Sequence, residues 1–379
     1  MPIKKILCIT NDFGPRAGGI ESFVIGLVER FPKNSVIVYT SSQAGDVQWD
    51  AKWMDNFGVK VFRDKSKILL PTLRVGFRVR KIVREENIES VFFGAAAPLG
   101  LLAGGLRKAG VKKIVALTHG HEVWWAKVFP FNRALHRIGE RVDHLTFLGE
   151  FTRSVISKSL NPKARNSMVR IAPGIDVEHF KPTSEASDLR KSLGIDSKKV
   201  IVSVGRLVHR KGQDRLIQAL ARIKTIEPKA HLLFVGEGPY RAHLEKLARQ
   251  LGVLEKVTFV GRVQYADLAK YISAGQIFAM PSRSRFGGLE VEGLGIVYLE
   301  ASACGLPVIA GNSGGAPDAI IEGVTGFAVD GNNVKEISEK LIELLSDSAK
   351  AKVMGEQGRN WVTSNWAWQI WAKKFQELL

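Results

Sequence analysis

Short apolar runs and amphipathic segments alternate along the whole chain, and this alternation restricts the fold more than any other feature. The runs are almost continuously apolar, as in parallel strands that helices cover on both faces. They fall into two groups, at residues 6–10, 36–40, 59–62, 90–93, 114–118, 144–147 and 169–172, and at 200–204, 231–235, 257–260, 277–280, 308–310 and 327–329. The sequence therefore predicts an α/β protein with two doubly wound, Rossmann-like parallel sheets.

The length of the chain agrees with two domains. Its 379 residues suffice for two cores of roughly 150 to 200 residues each. A segment at 173–182 contains proline and glycine between the two groups of strands, and we interpret it as a hinge. We expect an N-terminal domain at 1–172, a C-terminal domain at 183–359 and a final helix within 360–379. That last stretch contains four tryptophans, interpreted as core anchors: Trp361, Trp366, Trp368 and Trp371.

Cysteine usage and the N-terminus indicate a cytoplasmic protein. Cys8 and Cys304 both lie in apolar surroundings, which favours buried thiols over a disulfide framework. The first residues, Met-Pro-Ile-Lys-Lys, run directly into a predicted strand, and they lack the long apolar core and cleavage site of a signal peptide. We therefore expect neither a signal peptide nor a membrane span.

Two glutamates flank a glycine-containing segment in the second half of the chain. Glu292 and Glu300 stand on either side of a predicted helix start near Gly295, and Gly293 and Gly295 allow close approach of the backbone to a ligand. Free amides at a helix start favour an anion such as a diphosphate. Glu300 would lie about 8 Å along the axis from Gly295, a distance that suits hydrogen bonds to a ribose diol. By itself this pair of glutamates is more often solvated.

A second constellation lies upstream, at residues 203–212. Its loop follows the predicted strand at 200–204 and carries Arg206 and Lys211, beyond the carboxyl end where ligands bind in open α/β sheets. Arginine can fork across phosphate oxygens, and lysine adds a compact charge. Together they could neutralise a leaving diphosphate, although a solvated basic loop explains the same residues.

Motifs throughout the chain resemble those of retaining glycosyltransferases of family 4. The matching segments are Gly18-Gly-Ile-Glu21, Thr118-His-Gly-His-Glu122, Pro173-Gly-Ile-Asp176, Gly205-Arg-Leu, Arg210-Lys-Gly212, Gly236-Glu-Gly-Pro239, Gly261-Arg-Val263, Pro281-Ser-Arg283, Glu292 to Glu300 and Gly314-Gly315. The resemblance implies the GT-B architecture, in which two Rossmann-like domains face a central cleft and a C-terminal helix crosses back to the first domain.

The resemblance also implies the roles of individual residues. Arg206, Lys211 and the helix start would stabilise the leaving diphosphate, while Glu292 would position the sugar. His119 would support the sugar from the first domain, with His121 as the alternative and Glu122 as an orienting group. The other residues expected to contact the donor are Gly18, Gly19, Val263, Gly293, Gly295, Ile296, Val297 and Glu300. We expect no metal or other cofactor, because no Asp-x-Asp motif is present and Arg206 and Lys211 can neutralise the diphosphate.

The net charge of +18 suggests an anionic partner, and it is unevenly distributed. Residues 1–180 contain 28 Lys and Arg against 16 Asp and Glu, a net charge of +12. A predicted helix within 65–84 groups its basic residues on one face and its apolar residues on the other, and such a helix could lie on anionic lipid. The candidate membrane contacts are Arg74, Arg78, Arg80, Lys81, Trp124 and Trp125. A solvated basic helix with buried aromatics is the alternative.

Within the family, the chain is similar to mannosyltransferases that extend phosphatidylinositol mannosides, most clearly at residues 118–125. That resemblance implies transfer of mannose from GDP-mannose, in α-1,6 linkage, to an inositol phospholipid at the inner face of the plasma membrane. A UDP-sugar donor with a soluble acceptor stays open, as does a nucleotide-sugar epimerase or hydrolase. A nucleic-acid-binding protein would explain the charge, but no zinc-ligand spacing or aromatic RNA-binding pattern is present.

Overall fold

The computed structural model describes residues 4–16 and 18–379. Residues 1–3, part of the N-terminus at which no signal peptide is expected, and Ala17 lie outside the described residues. The chain divides into two compact units. Unit 1 comprises Met1–Gly174 and Trp368–Leu379, and unit 2 comprises Ile175–Ala367. Each unit contains one parallel sheet, so the predicted α/β class with two doubly wound sheets is confirmed.

Unit 1 contains a seven-stranded sheet in the order β3-β2-β1-β4-β5-β6-β7. Its strands are β1 (Ile6–Ile9), β2 (Val36–Ser41), β3 (Lys60–Asp64), β4 (Ser90–Phe93), β5 (Lys113–Ala116), β6 (His144–Phe147) and β7 (Val169–Arg170). Its helices before the crossing to unit 2 are α1 (Gly19–Val28), α2 (Asp46–Phe57), α3 (Leu73–Glu85), α4 (Ala103–Lys108), α5 (Glu122–Lys127), α6 (Phe131–Arg141), α7 (Glu150–Ile156) and α8 (Pro162–Asn166).

Unit 2 contains a six-stranded sheet in the order β10-β9-β8-β11-β12-β13. Its strands are β8 (Lys199–Val204), β9 (Ala230–Val235), β10 (Val257–Gly261), β11 (Ile277–Met280), β12 (Val308–Gly311) and β13 (Gly326–Val329). Its helices are α9 (Glu185–Ser192), α10 (Gln213–Ile223), α11 (Arg241–Gln250), α12 (Tyr265–Ser273), α13 (Ile296–Ala303), α14 (Val334–Ser346) and α15 (Ser348–Asn365). A final helix, α16 (Trp368–Gln376), belongs to unit 1.

The strand order has the same consequence in both units. The chain builds the sheet outward from its first strand in one direction, then returns to the other side of that strand, so β1 lies between β2 and β4 and β8 lies between β9 and β11. The central strands are buried, as expected where helices cover both faces, whereas the edge strands β3, β7 and β10 are partly exposed. Each sheet therefore has a topological switch point, at β1 and β4 in unit 1 and at β8 and β11 in unit 2.

Helix α3 shows how a local pattern positions a charged surface. Thr72 caps the helix by accepting a hydrogen bond from the Val75 amide at 3.3 Å. The apolar face of α3, with Val75, Val79 and Ile82, is buried in the core of unit 1. Its basic side chains consequently lie on the opposite, largely exposed face, as the predicted amphipathic pattern requires.

The C-terminal helix packs in unit 1, but the four tryptophans do not share one environment. Trp361 and Trp366 contact each other in unit 2, where the Trp366 carbonyl accepts a hydrogen bond from Ile175 at 2.7 Å. The chain therefore returns to unit 1 at Trp368. The expected C-terminal segment began earlier, at residue 360. Trp368 lies against Arg30, which follows the end of α1, with the guanidinium carbon 4.6 Å from the ring centroid.

Candidate functional site

Two loops meet at the switch point of unit 2. The loop at 205–212 follows β8, and the loop at 281–295 follows β11, so both emerge from carboxyl ends of neighbouring parallel strands. They are joined by a backbone hydrogen bond in which the Arg283 amide donates to the Arg210 carbonyl at 2.8 Å. The two predicted constellations, the basic loop and the glutamate segment, thus lie together at the edge where open α/β sheets bind ligands.

Glu292 lies between two cations of the 205–212 loop. Its Oε2 atom accepts hydrogen bonds from Lys211 Nζ and from Arg210 Nη1, each at 2.7 Å. Burial would raise the pKa of Glu292, but the charges of Lys211 and Arg210 outweigh burial and hold that pKa below its usual range. Glu292 is therefore ionised at neutral pH. The pairing of Glu292 with Arg210 was not predicted. The sequence signal that could have indicated it is that Arg210 directly precedes Lys211.

Gly212 allows the basic loop to turn into α10 at this point. Its φ is +77°, and a Cβ atom built on it would lie 2.1 Å from the Pro281 carbonyl oxygen. Both the left-handed conformation and the close approach favour glycine, which has no Cβ. The absence of a side chain brings the loop that carries Lys211 against the start of the loop that carries Glu292.

A buried ion pair lies next to the same loops and was also not predicted. Arg283 Nη2 donates to both carboxylate oxygens of Asp214, at 3.0 and 2.9 Å. The two side chains are only 3% and 9% exposed, so removing either partner would leave a buried charge. The pair links the loop after β11 to the first turn of α10. Arg283 was noted in the sequence as a family match without a role.

The loop after β11 ends at the start of helix α13. Gly295 precedes the helix with φ of +77°, and a Cβ atom there would lie 2.4 Å from ring atoms of Tyr298. The amides of Ile296 and Val297 have no acceptor among residues 4–16 and 18–379, as is usual in the first turn of a helix. The predicted helix start is thus present, with free donors that suit an anion.

The diglycine turn at Gly314 and Gly315 packs directly against the glutamate segment. The Gly315 amide donates to the Glu292 carbonyl at 2.8 Å. A Cβ atom on Gly314 would lie 2.3 Å from that carbonyl oxygen, and one on Gly315 would lie 2.2 Å from the Gly293 carbonyl oxygen. The turn therefore supports the backbone on which Glu292 and Gly293 are held.

Glu300 is the second buried carboxylate of this region, and its surroundings differ from those of Glu292. It is 9% exposed, and in the described part of the chain its carboxylate has no hydrogen bond or ion pair. Burial raises the pKa of Glu300 to about 7. A buried carboxylate without a partner is costly, and a ligand with hydroxyl donors would satisfy it.

Arg206 and Val263 lie on the same edge of the sheet. Arg206 is exposed, and within residues 4–16 and 18–379 its guanidinium forms no ion pair, so it is free to bind an anion. Val263 follows β10, which β9 separates from β8, so it lies farther along that edge than the Glu292 cluster. The structure therefore brings Lys211 and Glu292 into contact, places Arg206 on the same loop as Lys211, and places Val263 farther along the same sheet edge.

In unit 1, a histidine and glutamate cluster follows β5. His119 is buried, and its Nε2 donates to the Gly94 carbonyl at 2.7 Å, which leaves Nδ1 as an acceptor in the neutral ring. Burial lowers the pKa of His119 and so favours the neutral form. The Glu122 carboxylate accepts from the His119 amide at 2.7 Å and lies 3.1 Å from His121 Nε2.

His121 and Glu122 form an ion pair in this cluster. Burial acts to lower the pKa of His121, but the Glu122 carboxylate outweighs it and raises the pKa to about 9. Burial acts to raise the pKa of Glu122, but the His121 charge brings it down to about 2. The sequence left His119 and His121 as alternatives, and the structure distinguishes them chemically as a neutral and a cationic ring.

Gly18 and Gly19 begin α1, beyond the carboxyl end of β1. A Cβ atom on Gly18 would lie 2.3 Å from Glu21 Oε2, whereas one on Gly19 would meet no atom within 4 Å. Glu21 is engaged by Arg16, whose Nε donates to Oε1 at 2.6 Å. The two glycines therefore lie at the switch point of unit 1, on the same sheet edge as His119.

We expect the ionisation of Glu300 to lower stability as the pH rises. The folded protein binds the proton up to a pH of about 7, but the unfolded chain releases it near the ordinary glutamate pKa, so the wild type loses stability between these values. The unfolding free energy of Glu300→Gln, relative to that of the wild type, should consequently increase by roughly 3 kcal/mol between pH 5 and pH 8.

Urea denaturation of both proteins across this pH range measures the difference. Glu255→Gln, at an exposed position of the same unit, is the matched control and should show a difference that does not change with pH. A constant difference between Glu300→Gln and the wild type would contradict a buried carboxylate without a partner.

Two family models match the chain in succession. One is described as Glycosyltransferase Family 4 and matches residues 17–179, and the other, Glycosyl transferases group 1, matches residues 185–361. Among solved structures, the crystal structure of Anabaena HepE in complex with UDP gives a TM-score of 0.84 at 20% identity, covering 98% of each chain. The lipopolysaccharide glycosyltransferase WaaG gives 0.68 at 20% identity over 98% of this chain and 99% of that chain. These likenesses confirm the predicted GT-B fold.

Full-length relatives are closer in sequence. The GDP-mannose-dependent alpha-(1-6)-phosphatidylinositol monomannoside mannosyltransferase of Mycolicibacterium smegmatis is 42% identical over 376 residues, which cover 99% of this chain and 98% of the relative. The enzyme of Corynebacterium glutamicum, named for the monoacylated form of the same acceptor, is 41% identical over 380 residues, with 99% and 98% covered. This chain therefore belongs to glycosyltransferase family 4.

Proposed function

We propose that the protein transfers mannose from GDP-mannose to phosphatidylinositol monomannoside and forms an α-1,6 linkage with retention at the anomeric carbon. The observation that carries the proposal is the cluster at the switch point of unit 2, where an ionised Glu292, two cations and a free helix start lie around one sheet edge. The names and full-length similarity of the relatives support this donor and this acceptor.

The donor diphosphate is bound by charges and amides of unit 2. Arg206, which forms no ion pair within residues 4–16 and 18–379, supplies a forked pair of donors to phosphate oxygens. The amides at the start of α13 add neutral donors and the positive end of the helix dipole. The unpartnered Glu300 accepts hydrogen bonds from the ribose diol, which removes the cost of its burial.

In this proposal Lys211 contacts the Glu292 carboxylate before the donor binds and the diphosphate afterwards. Arg210 allows this change because it remains paired with Glu292. Without donor, both cations contact the same oxygen of Glu292. When Lys211 turns toward the diphosphate, Arg210 keeps Glu292 ionised and in place. Glu292 can then accept hydrogen bonds from hydroxyls of the mannosyl group.

Transfer breaks the bond between the anomeric carbon and the diphosphate oxygen and forms a bond to the inositol oxygen. Negative charge develops on the diphosphate, where Arg206, Lys211 and the helix start stabilise it. The acceptor hydroxyl attacks from the face that the diphosphate leaves, and a phosphate oxygen receives its proton. No side-chain nucleophile is part of the proposal. His119 retains its proposed role toward the sugar, as a neutral ring with Nδ1 available as an acceptor.

The acceptor is a membrane lipid, so we also propose that the protein works as a peripheral protein at the inner face of the plasma membrane. Among residues 4–16 and 18–379, no helix combines the length and apolar character needed to cross a bilayer. Arg78 and Lys81 of α3 are exposed, and Leu73 and Phe77 on the same helix are 93% and 64% exposed. Exposed cations beside exposed apolar side chains suit an interface with anionic lipid.

The other candidate membrane residues are more constrained. Arg74 donates to both carboxylate oxygens of Asp64, at 2.8 and 2.7 Å. Trp124 and Trp125 are half-buried and pack on Phe131, with ring centroids 4.6 and 4.9 Å apart. The tryptophans therefore contribute less surface to the proposed contact than Leu73 and Phe77 of α3. Arg80 is partly buried on the same helix.

The donor proposal is tested by calorimetric binding of GDP-mannose, UDP-glucose and UDP-N-acetylglucosamine without added metal. The wild type should bind GDP-mannose selectively, and Arg206→Ala should bind it at least about tenfold more weakly because a charge-assisted contact to phosphate is lost. Arg222→Ala, at an exposed position of α10, is the control and should bind as the wild type does. Preference for a UDP-sugar would contradict the mannosyl donor, and equal binding by both variants would contradict the role of Arg206.

The membrane proposal is tested with the double substitution Arg78→Gln and Lys81→Gln. Binding to vesicles that contain anionic phospholipid should weaken by roughly tenfold or more, because each cation near such a surface contributes on the order of 1 kcal/mol. Turnover of a detergent-solubilised acceptor should stay unchanged. Lys108→Gln with Lys113→Gln removes the same charge elsewhere in unit 1 and should leave vesicle binding intact. Parallel loss of vesicle binding and of turnover in detergent would count against a membrane role for α3.

A further inference from the structure

A cavity of about 430 Å³ lies in unit 1, at the edge of the sheet opposite to the carboxyl ends of the strands. It is lined by parts of α4, α6 and α8 and by residues 142–143, which directly precede β6. Because the strands are parallel, a cavity at the start of β6 lies at the opposite edge from His119, which follows the end of β5. The proposed function makes no use of this cavity. Its volume falls within the range of small-molecule sites, about 300 to 1,000 Å³.

Two cations of the lining have no partner in the protein. Arg141, at the end of α6, and Lys163, in α8, are both exposed, and neither forms an ion pair or a side-chain hydrogen bond within residues 4–16 and 18–379. Gly104 of α4 leaves room for the guanidinium, because a Cβ atom built on this glycine would lie 3.3 Å from Arg141 Nη1. The Arg141 guanidinium therefore lies against α4 at the cavity, and its donors are available to an anion.

The remaining charges of the lining largely offset one another. Arg107 donates to the Asp143 carboxylate and to the Lys112 carbonyl, the latter at 2.6 Å, and the same carboxylate accepts from the Ile114 amide at 2.7 Å. Arg107 and Asp143 thus neutralise each other. The charge that stays available comes from Arg141 and Lys163, against the single further carboxylate of Glu140. The cavity therefore favours an anionic ligand.

The lining also contains groups that suit the hydroxyls of a sugar. The side-chain oxygen of Asn161 accepts from the Ala164 amide at 2.8 Å, which leaves the two donors on Nδ2 without a partner in the described part of the chain. The Glu140 carboxylate, which lies 3.3 Å from His136 Nε2, is still 46% exposed and can accept further hydrogen bonds. A polyol can donate to Glu140 and accept from Asn161. The cavity thus combines cations for an anion with a donor and an acceptor for hydroxyls.

We propose that this cavity binds a sugar phosphate, with Arg141 and Lys163 on the phosphate and with Glu140 and Asn161 on the sugar hydroxyls. A phosphate monoester carries a charge of about −1.5 to −2 at pH 7, which two unpaired cations match. A phosphodiester carries less charge, and inorganic phosphate offers no ring hydroxyls, so each would use only part of the site. The ligand binds away from the donor cluster of unit 2 and does not displace GDP-mannose.

Calorimetric binding to the full chain tests the proposal, with glucose 6-phosphate, inorganic phosphate, glucose and glycerophosphoinositol as probes. Glucose 6-phosphate should bind more tightly than the other three. Arg141→Gln with Lys163→Gln should weaken that binding at least about tenfold, because two charge-assisted contacts are lost. Glu140→Ala should weaken binding of glucose 6-phosphate but not of inorganic phosphate, because it removes an acceptor for hydroxyls.

Two control variants separate this site from other cations. Lys52→Gln with Arg84→Gln removes two charges at exposed positions elsewhere in unit 1, and Arg206→Ala removes a cation of unit 2. Both should bind glucose 6-phosphate as the wild type does. The variant of Arg141 and Lys163 should keep the melting temperature of the wild type, which establishes that it is folded.

The opposite results overturn the site. A wild type that does not bind glucose 6-phosphate at concentrations up to about 10 mM has no such site, and equal binding by the variant of Arg141 and Lys163 excludes these cations. Glycerophosphoinositol that binds as tightly as glucose 6-phosphate contradicts a monoester and assigns the cavity to a lipid headgroup. Loss of binding in Arg206→Ala alone assigns the phosphate to the donor cluster of unit 2.

Discussion

The contact of Glu292 with Arg210 and Lys211 is the interaction on which the proposed chemistry depends. A buried carboxylate is ionised only where neighbouring cations compensate for lost hydration, and both cations come from a loop 81 and 82 residues earlier in the chain. The surrounding structure serves to keep these groups together. Gly212 lets the basic loop approach Pro281, and the buried ion pair of Arg283 with Asp214 joins the loop after β11 to the first turn of α10.

Glu292 and Glu300 lie at opposite ends of the same short segment but in opposite electrostatic states. The first has two cations and a depressed pKa, and the second has burial alone and a raised pKa. The hydrogen-bonding requirement of a paired carboxylate is met without ligand. A buried carboxylate without a partner needs a hydrogen-bond donor from a ligand. Because its carboxylate has no partner among the described residues, Glu300 is a stronger candidate for ligand binding than its position in a motif alone would make it. Under the proposed function, binding of the nucleotide-sugar would then stabilise unit 2.

Much of the fold follows from local sequence patterns. Every predicted strand is present, because continuous apolar runs between amphipathic helices are a strong signal of buried parallel strands, and the helix start at Gly295 follows from its glycines. The side-chain pairings do not follow from pattern. Arg210 with Glu292 and Arg283 with Asp214 are contacts across 82 and 69 residues, which only the assembled strand order brings together. The tryptophans of the last segment were also not fully predictable from local pattern. Trp366 belongs to unit 2, where its carbonyl accepts a hydrogen bond from the Ile175 amide.

The pH dependence of mannose transfer from GDP-mannose to phosphatidylinositol monomannoside is the most direct test of the central claim, that Glu292 acts as a carboxylate held by Arg210 and Lys211. Arg210→Met should move the acid limb of kcat/KM upward by about one pH unit, because the pKa of Glu292 rises when one of its two cations is lost. Arg210→Lys should restore the wild-type limb, and the product should carry an α-1,6-linked mannose. An acid limb that is the same in all three proteins, or a wild type that transfers no mannose, would contradict the account.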